Sequence, residues 1–274
     1  MEFFEDLIAA SLKQPKRVVR SAWLGHIPFA FYVVAKLRPT QIVELGAHNA
    51  ASFAAFCQAF DDAGLTGNCT AVDTWEGDIH AGRYDSRVFD DVKAFFDGSG
   101  WSFASLMRCT FDDALLKIAD GSVDLLHIDG LHTLEAVTHD FETWKPKLSD
   151  RGVVLFHDIA VKSRGFGVHL LWEKLAAAYP SFRFDHSYGL GVLGVGKDQT
   201  ALAQLFAVQK DAEKAARTRQ FFQSAGAGIV LQQKIAKNNA LIAAHKRNAE
   251  SNATIKNELI AALQVAVKLP EKIR

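Results

Sequence analysis

Five polar residues fall just beyond two short apolar runs: His127, Asp129 and His132 after Val123–Ile128, and His157 and Asp158 after Val153–Phe156. If the first run is a strand, alternation puts His127 and Asp129 on one side and Ile128 on the other. Imidazole titrates near neutral pH, so His132 or His157 can serve as a general base. Carboxylate and imidazole together also suit a divalent cation, and Asp129, His132 and Asp158 form such a ligand set for Mg²⁺, Mn²⁺ or Fe²⁺. One histidine alone is more often a packed side chain bonded to backbone. Five such residues at two adjacent strand ends fit that explanation poorly.

A second group lies upstream, in QIVELGAHNAASFAAFCQAF, residues 41–60. Ile42, Val43 and Leu45 have the β-branching and length of a buried strand, and Phe53, Phe56 and Phe60 have helical spacing. Gly46 sits between them. Strand, glycine turn and helix open a doubly wound α/β sheet, whose ligands lie beyond the carboxyl ends of the strands. A dinucleotide fingerprint needs glycines at 46, 48 and 51, and the chain has Gly46, His48 and Ala51. A nucleoside-like ligand demands less: one glycine and an acid at each of the first two strand ends. Glu44 is the first acid. Asp73, closing the run Cys69–Val72, is the second and is placed to accept from ribose hydroxyls.

The elements that must position these groups follow from the pattern. Residues 2–38 read as two helices split near Pro15, with Pro28 in the first turn of the second helix and Pro39 ending it. Further strands are expected near 103–108, at Phe182–Phe184 and at Val192–Val195. Helices are expected at about 86–97, from Phe111 to Ala119, after the cap Thr133 as far as Pro146, and at about 166–178. Residues 74–85, TWEGDIHAGRYD, have no clean period and read as a loop that closes over a ligand together with the Trp23–Pro28 connection. Beyond residue 200 two helices are expected, about 200–223 and 228–266, hinged at Ser224–Gly228. Leu231, Ile235, Asn238 and Ile242 fit a seam of 4-3-4 spacing that decays afterwards.

Composition bounds the rest. The chain has 274 residues, 49% of them hydrophobic and 23% charged, which allows one large core with an appendage. Its three cysteines have no paired spacing, which points to free thiols in a reducing, cytoplasmic compartment. The acidic start is no signal peptide, and no apolar run has the ~18 residues that a membrane helix needs. Residues 201–274 hold 12 Lys+Arg against 5 Asp+Glu, while residues 1–200 hold 19 against 26. A basic tail on an acidic body results, but without the dense basic runs and interleaved aromatics of a nucleic-acid binder.

In order along the chain, VELGAHNAAS, AVDTWEGDIHAG, VDLLHIDGLHTLEAVTHDFETW and GVVLFHDI resemble the class I methyltransferases that use S-adenosylmethionine. Within them the chain is similar to a bacterial subgroup often found beside or fused to glycosyltransferases. The resemblance covers roughly residues 20–196. It implies a Rossmann-like, mostly parallel seven-stranded sheet, with N-terminal helices over residues 1–40 capping the site, a catalytic domain at 41–198 and a helical basic tail at 199–274. It places Glu44 and Gly46 at the methionine end of the cofactor, with Ala47, Asn49 and Ser52 also at the cofactor, Asp73 at the ribose, Thr74 and Trp75 beside sugar or adenine, and Phe111–Asp112 near adenine. Asp129 and His132 would flank the methyl group, and His157–Asp158 would complete the acceptor side. Ala50 stands where the family usually has glycine. Leu131 and Ile159 stand where metal-dependent relatives carry further acids or amides, which counts against a metal.

The implied activity is methyl transfer to an oxygen of a sugar or other small hydroxylated acceptor, with His132 as base oriented by Asp129. A homo-oligomer or a glycosyltransferase partner is the expected use of the tail. Two rivals compete with this reading. A metal-dependent oxygenase or hydrolase built on the His/Asp cluster leaves Glu44, Gly46 and Asp73 without a task. A non-catalytic binding module would bind cofactor and never turn over.

Overall fold

The computed structural model describes residues 2–268, and the side chains of residues 4–261. Seven strands form one sheet: β1 (Gln41–Leu45), β2 (Asn68–Asp73), β3 (Ala104–Arg108), β4 (Val123–Ile128), β5 (Leu148–His157), β6 (Ser181–Phe184) and β7 (Leu190–Gly194). Their spatial order is β3-β2-β1-β4-β5-β7-β6. The first five pair in parallel, and β7 runs antiparallel to both of its neighbours. The chain reverses direction across the sheet between β1 and β4, and the crevice at such a switch point is where ligands bind.

Side-chain alternation divides the interior in two. Ile42, Leu125, Val153 and Leu155 pack on one face with α1 (Glu2–Ser11), α2 (Ile27–Leu37), α3 (Ala51–Asp62) and α4 (Ser86–Ser99). Val43, Leu45, Leu126, Val154 and Phe156 pack on the other with α5 (Phe111–Leu115), α6 (Leu134–Trp144) and α7 (Val168–Ala176). The central strands are mostly apolar on both sides because helices cover both faces. At the opposite edge from the crevice, the buried Asp124 carboxylate accepts from Thr40 N, Thr40 Oγ1, Ser149 Oγ and Arg151, tying the start of β1 to β4 and β5.

The expected sheet, helices and order are all present, with four differences. β5 starts at Leu148, earlier than its apolar run. α5 stops at Leu115, and the next residue, Leu116, is exposed. The 74–85 loop contains a two-stranded ribbon, Gly77–Asp78 against Gly82–Arg83. The expected hinge at Ser224–Gly228 is absent: after a short α8 (Ala203–Val208), α9 runs unbroken over Ala212–Lys268.

The fourth difference has a packing cause. A Cβ on Gly226 would lie 2.0 Å from the Gly25 carbonyl oxygen, so this glycine permits a close crossing and does not mark a bend. Four residues earlier Phe222 is fully buried, in edge contacts with Phe29, Tyr32 and Phe184. Residues 199–230 therefore belong with the body, and the boundary expected at 199 moves to Val230–Leu231. In the second unit Leu231, Ile235, Ile242 and Leu259 are exposed. The side chain of Leu263, and residues 269–274 of the expected tail, lie outside the described residues. No helix among the described residues is long and apolar enough to cross a membrane.

The two helix glycines separate packing from flexibility. Gly226→Ala is expected to destabilise the protein by about 1–3 kcal/mol through overpacking. Gly228→Ala, where an added Cβ meets nothing within 4 Å, should stabilise it by up to about 1 kcal/mol. Urea unfolding of both variants checks this, and equal shifts would restore the hinge.

Candidate active site

The crevice is built around a contact between two backbones. Gly46 has φ +89°, and a Cβ there would lie 2.2 Å from the carbonyl oxygen of Asp129. Gly46 N donates to Val72 O and Asp129 N donates to Leu45 O, so the ends of β1, β2 and β4 are locked together. Asp73 completes the lock. Its Oδ2 accepts from the backbone of Ala47 and His48, both at 2.9 Å, and its Oδ1 accepts from Trp75 N at 2.7 Å. The carboxylate thus shapes the loop it shares a cavity with.

That cavity, about 420 Å³, is lined by Gly46, His48, Asp73, Thr74, Asp78, Tyr84, Thr110, Phe111, Asp129, Gly130 and Leu131, among others. Of the residues expected at the cofactor, Gly46, Asp73, Thr74, Phe111 and Asp129 are on its wall. The others are displaced from it. Glu44 is fully buried behind the loop, accepting from Ser52 Oγ and from His127 Nδ1, and burial raises its pKa against the pull of both partners. Trp23 Nε1 donates to His127 Nε2, which fixes the His127 proton on Nδ1. Asn49 turns outward to bond Arg20 O, Trp75 is buried with its indole N–H on His48 O, and Asp112 pairs with His139 at the surface. Ala47 contributes the backbone donor already described.

A smaller cavity of about 150 Å³ adjoins the first and shares Gly46, His48, Asp78, Tyr84 and Asp129 with it. Its remaining wall comes from Ser21–Trp23, Ser52, His132, His157 and Asp158. The sequence-predicted cluster therefore assembles here. His132 Nε2 lies 2.7 Å from Asp158 Oδ2 and 3.4 Å from Asp129 Oδ1, and His157 Nδ1 lies 3.2 Å from Asp129 Oδ1. The ligand atoms of Asp129, His132 and Asp158 lie within 4.8 Å of one another, a spacing that a single cation can span.

Residues 43–159 match the family model described as a methyltransferase domain. This segment is similar to that domain. The chain is 43% identical over 255 residues to the uncharacterised protein y4gI of Sinorhizobium fredii, covering 93% of this chain and 27% of that protein. It thus spans about a quarter of the length of the curated relative it matches. Among solved structures it is similar to cofactor-bound Rv0187 from MTB, with 14% identity, a TM-score of 0.50, and 71% of this chain and 88% of that one covered. It is also similar to the SAH-bound Podospora anserina methyltransferase PaMTH1, with 14% identity, a TM-score of 0.47 and coverages of 70% and 86%.

Within this segment the cluster carries its own balance of charge. Burial disfavours a charged His132, yet its bonds to Asp129 and Asp158 raise the ring to about 9. His157, also buried, is raised by the Asp129 charge; its two nitrogens face Asp129 Oδ1 and Ser187 O, so both carry protons. Asp129 and Asp158 are lowered by the two rings despite burial. Two imidazolium groups thus answer two carboxylates, and a cation bound at Asp129, His132 and Asp158 would first have to displace the His132 proton.

His48 and Tyr84, stacked with centroids 4.5 Å apart, are cavity residues that the sequence reading did not single out. His48 was legible only as a missing glycine. Its φ of +46° joins Ala50, Trp75, Asp158, Ser187 and Tyr188 as left-handed non-glycine residues around the crevice. Such conformations cost about 1–3 kcal/mol each and gather at functional sites. Of the stretches expected to close over a ligand, Trp75 and Trp23–Pro28 are core, and the ribbon between Glu76 and Tyr84 is the part at the surface.

The His132 shift has a sign that can be tested. A raised folded pKa gives stability that is fully present below the unfolded value near 6.5 and is lost as pH rises through about 9. In chelator-treated protein, about 3 kcal/mol should disappear across that window. His132→Gln should flatten the loss of melting temperature between pH 6.5 and 9.5, and an equally steep decline in the variant would remove His132 as its source.

Proposed function

We propose that the chain is an S-adenosylmethionine-dependent methyltransferase acting on an oxygen of a sugar or another small hydroxylated acceptor. The observation that carries this reading is the pair of adjoining cavities sharing Gly46, His48, Asp78, Tyr84 and Asp129. The larger suits a nucleoside with Asp73 near its ribose and Phe111 near its base. The smaller suits the acceptor: its volume is about that of five waters, and carboxylates, imidazoles and hydroxyls stand in its wall beside Trp23 and three alanines. Methyl transfer from a sulfonium needs the acceptor oxygen in line and its proton removed, with no covalent enzyme intermediate. The hydroxyl oxygen forms the new C–O bond, the C–S bond breaks with its pair going to sulfur, and the hydroxyl proton passes to the Asp129–His132–Asp158 cluster.

His132 acts as that base once it has lost its resting proton, while Asp129 orients it and His157 holds Asp129. A second reading rests on the three ligand atoms within 4.8 Å: a divalent ion in that place would bind the acceptor oxygen and lower its pKa. The exposed apolar residues of 231–261 serve association, with a second copy or with a glycosyltransferase.

S-adenosylhomocysteine should bind in calorimetric titration and NAD should not; the reverse result ends the reading at its root. Asp73→Ala should weaken that binding at least about tenfold, part of it through the loop donors left unpaired. For the base, His132→Ala should lower turnover by roughly 10²–10⁴ with cofactor affinity nearly unchanged, and turnover should climb with pH toward 9. Loss of activity with chelator and recovery with Mg²⁺ would instead favour the metal. Deleting residues 231–274 should lower the mass seen by light scattering and leave cofactor binding intact; an unchanged mass places association elsewhere.

A further inference from the structure

We propose that residues 231–261 of α9 pair with the same segment of a second copy as a parallel two-stranded coiled coil. This pairing rests on the association reading above, and not on the cofactor or the acceptor. None of these residues is buried, although the helix runs through all of them without a break. A helix draws most of its stability from the packing of an apolar face. A stretch of about 46 Å with no such face packed calls for a partner.

The face is present on the helix. With Ile235 at position a of a heptad, the seam that fades after Ile242 resumes further on in the same register. Ile235 and Ile242 fall at a, Leu231 and Leu259 at d, Leu241 and Ile255 at g, and Ile260 at e. These are all the exposed large apolar residues among the described residues of the segment. Positions b, c and f hold only alanine and polar or charged residues. Every large apolar group thus lies on the side that a two-stranded coil closes, with Ile at a and Leu at d as parallel dimers prefer.

The polar residues of the seam select the partner and its direction. Asn238, His245 and Asn252 stand one heptad apart, all at d. In a parallel pair each faces its own counterpart, and an asparagine amide, donor and acceptor at once, can bond its own kind. An antiparallel pair sets a against d, and a is filled here by Ile235, Ile242, Ala249 and Lys256. Each asparagine would then face isoleucine, alanine or lysine, and no amide would meet its match. The flanking g and e positions of a parallel pair bring Lys234 to Asn239, Leu241 to Lys246 and Ile255 to Ile260, so no like charges oppose there. Lys256 facing itself is the cost, of the kind that fixes register and partner number.

The full chain is measured by light scattering and by cross-linking. Ile235→Asp with Ile242→Asp should halve the mass. Ala236→Asp with Ala243→Asp, the same charges at position b, should leave it unchanged. For direction, Leu231→Cys treated with diamide should form a covalent dimer, two thiols passing two protons and two electrons to the reagent as one S–S bond forms. Wild type, with its free Cys57, Cys69 and Cys109, gives the background. A mixture of Leu231→Cys and Leu259→Cys proteins should join like to like and never one to the other. Wild type of monomer mass overturns the proposal, and so does equal loss of mass in both aspartate pairs or a cross-link between the two cysteine variants. If deleting 231–274 lowers the mass and Ile235→Asp with Ile242→Asp does not, association stands and this pairing falls. A mass unmoved by the deletion defeats the association reading itself.

Discussion

The contact of Gly46 with the Asp129 carbonyl fixes how close β1 and β4 come at their carboxyl ends, and both cavities depend on it. Any side chain at 46 would push the loops apart, since backbone has nowhere to yield. With the loops in contact, Asp129 borders both cavities and its neighbour Gly130 the larger one. Two N–H groups gathered by Asp73, those of Ala47 and His48, hold the first loop in left-handed conformations that His48 and Ala50 would not adopt alone, and the third, of Trp75, ties in the loop after β2. A glycine at 50 would adopt the turn at less cost. Alanine there makes the loop depend more heavily on Asp73.

The electrostatics behind the loop are layered. The inner layer, Ser52–Glu44–His127–Trp23, reaches the smaller cavity only at its two ends, Ser52 and Trp23, and keeps Glu44 and His127 behind them. The outer layer, His157–Asp129–His132–Asp158, borders the smaller cavity directly. Charges buried together must be matched closely, because each one left unpaired costs several kcal/mol. The outer layer meets that demand with protons on two imidazoles, which leaves it responsive to pH in a way that a metal-filled site would not be.

Much of this was legible in the chain. Strand β4 was readable to the residue because Val123–Ile128 is continuous, β-branched and ended by a turn. The cluster was readable because alternation and strand order bring 127–132 and 157–158 to one edge. Other features depend on three-dimensional neighbours that no local pattern carries. Gly226 looks like a hinge until Gly25 is seen across from it. Glu44 reads as an acid at a strand end, and nothing local shows that its Oε1 is bonded by Ser52 and by His127, its register partner on β4, while Oε2 has no partner. Trp75 looks like a loop aromatic until its indole meets His48 O. His48 and Tyr84 gave no signal, because residues that line a cavity from two separate loops need share no spacing.

The crossing of Gly226 over Gly25 has a mechanical side. Gly25 belongs to the short turn Ala22–His26, and Ala22 and Trp23 of that turn wall the smaller cavity. Backbone rests on backbone at the crossing, with no side chain to absorb movement. The seating of Phe222 and Gly226 on the core thus sets where the turn that walls this cavity can lie.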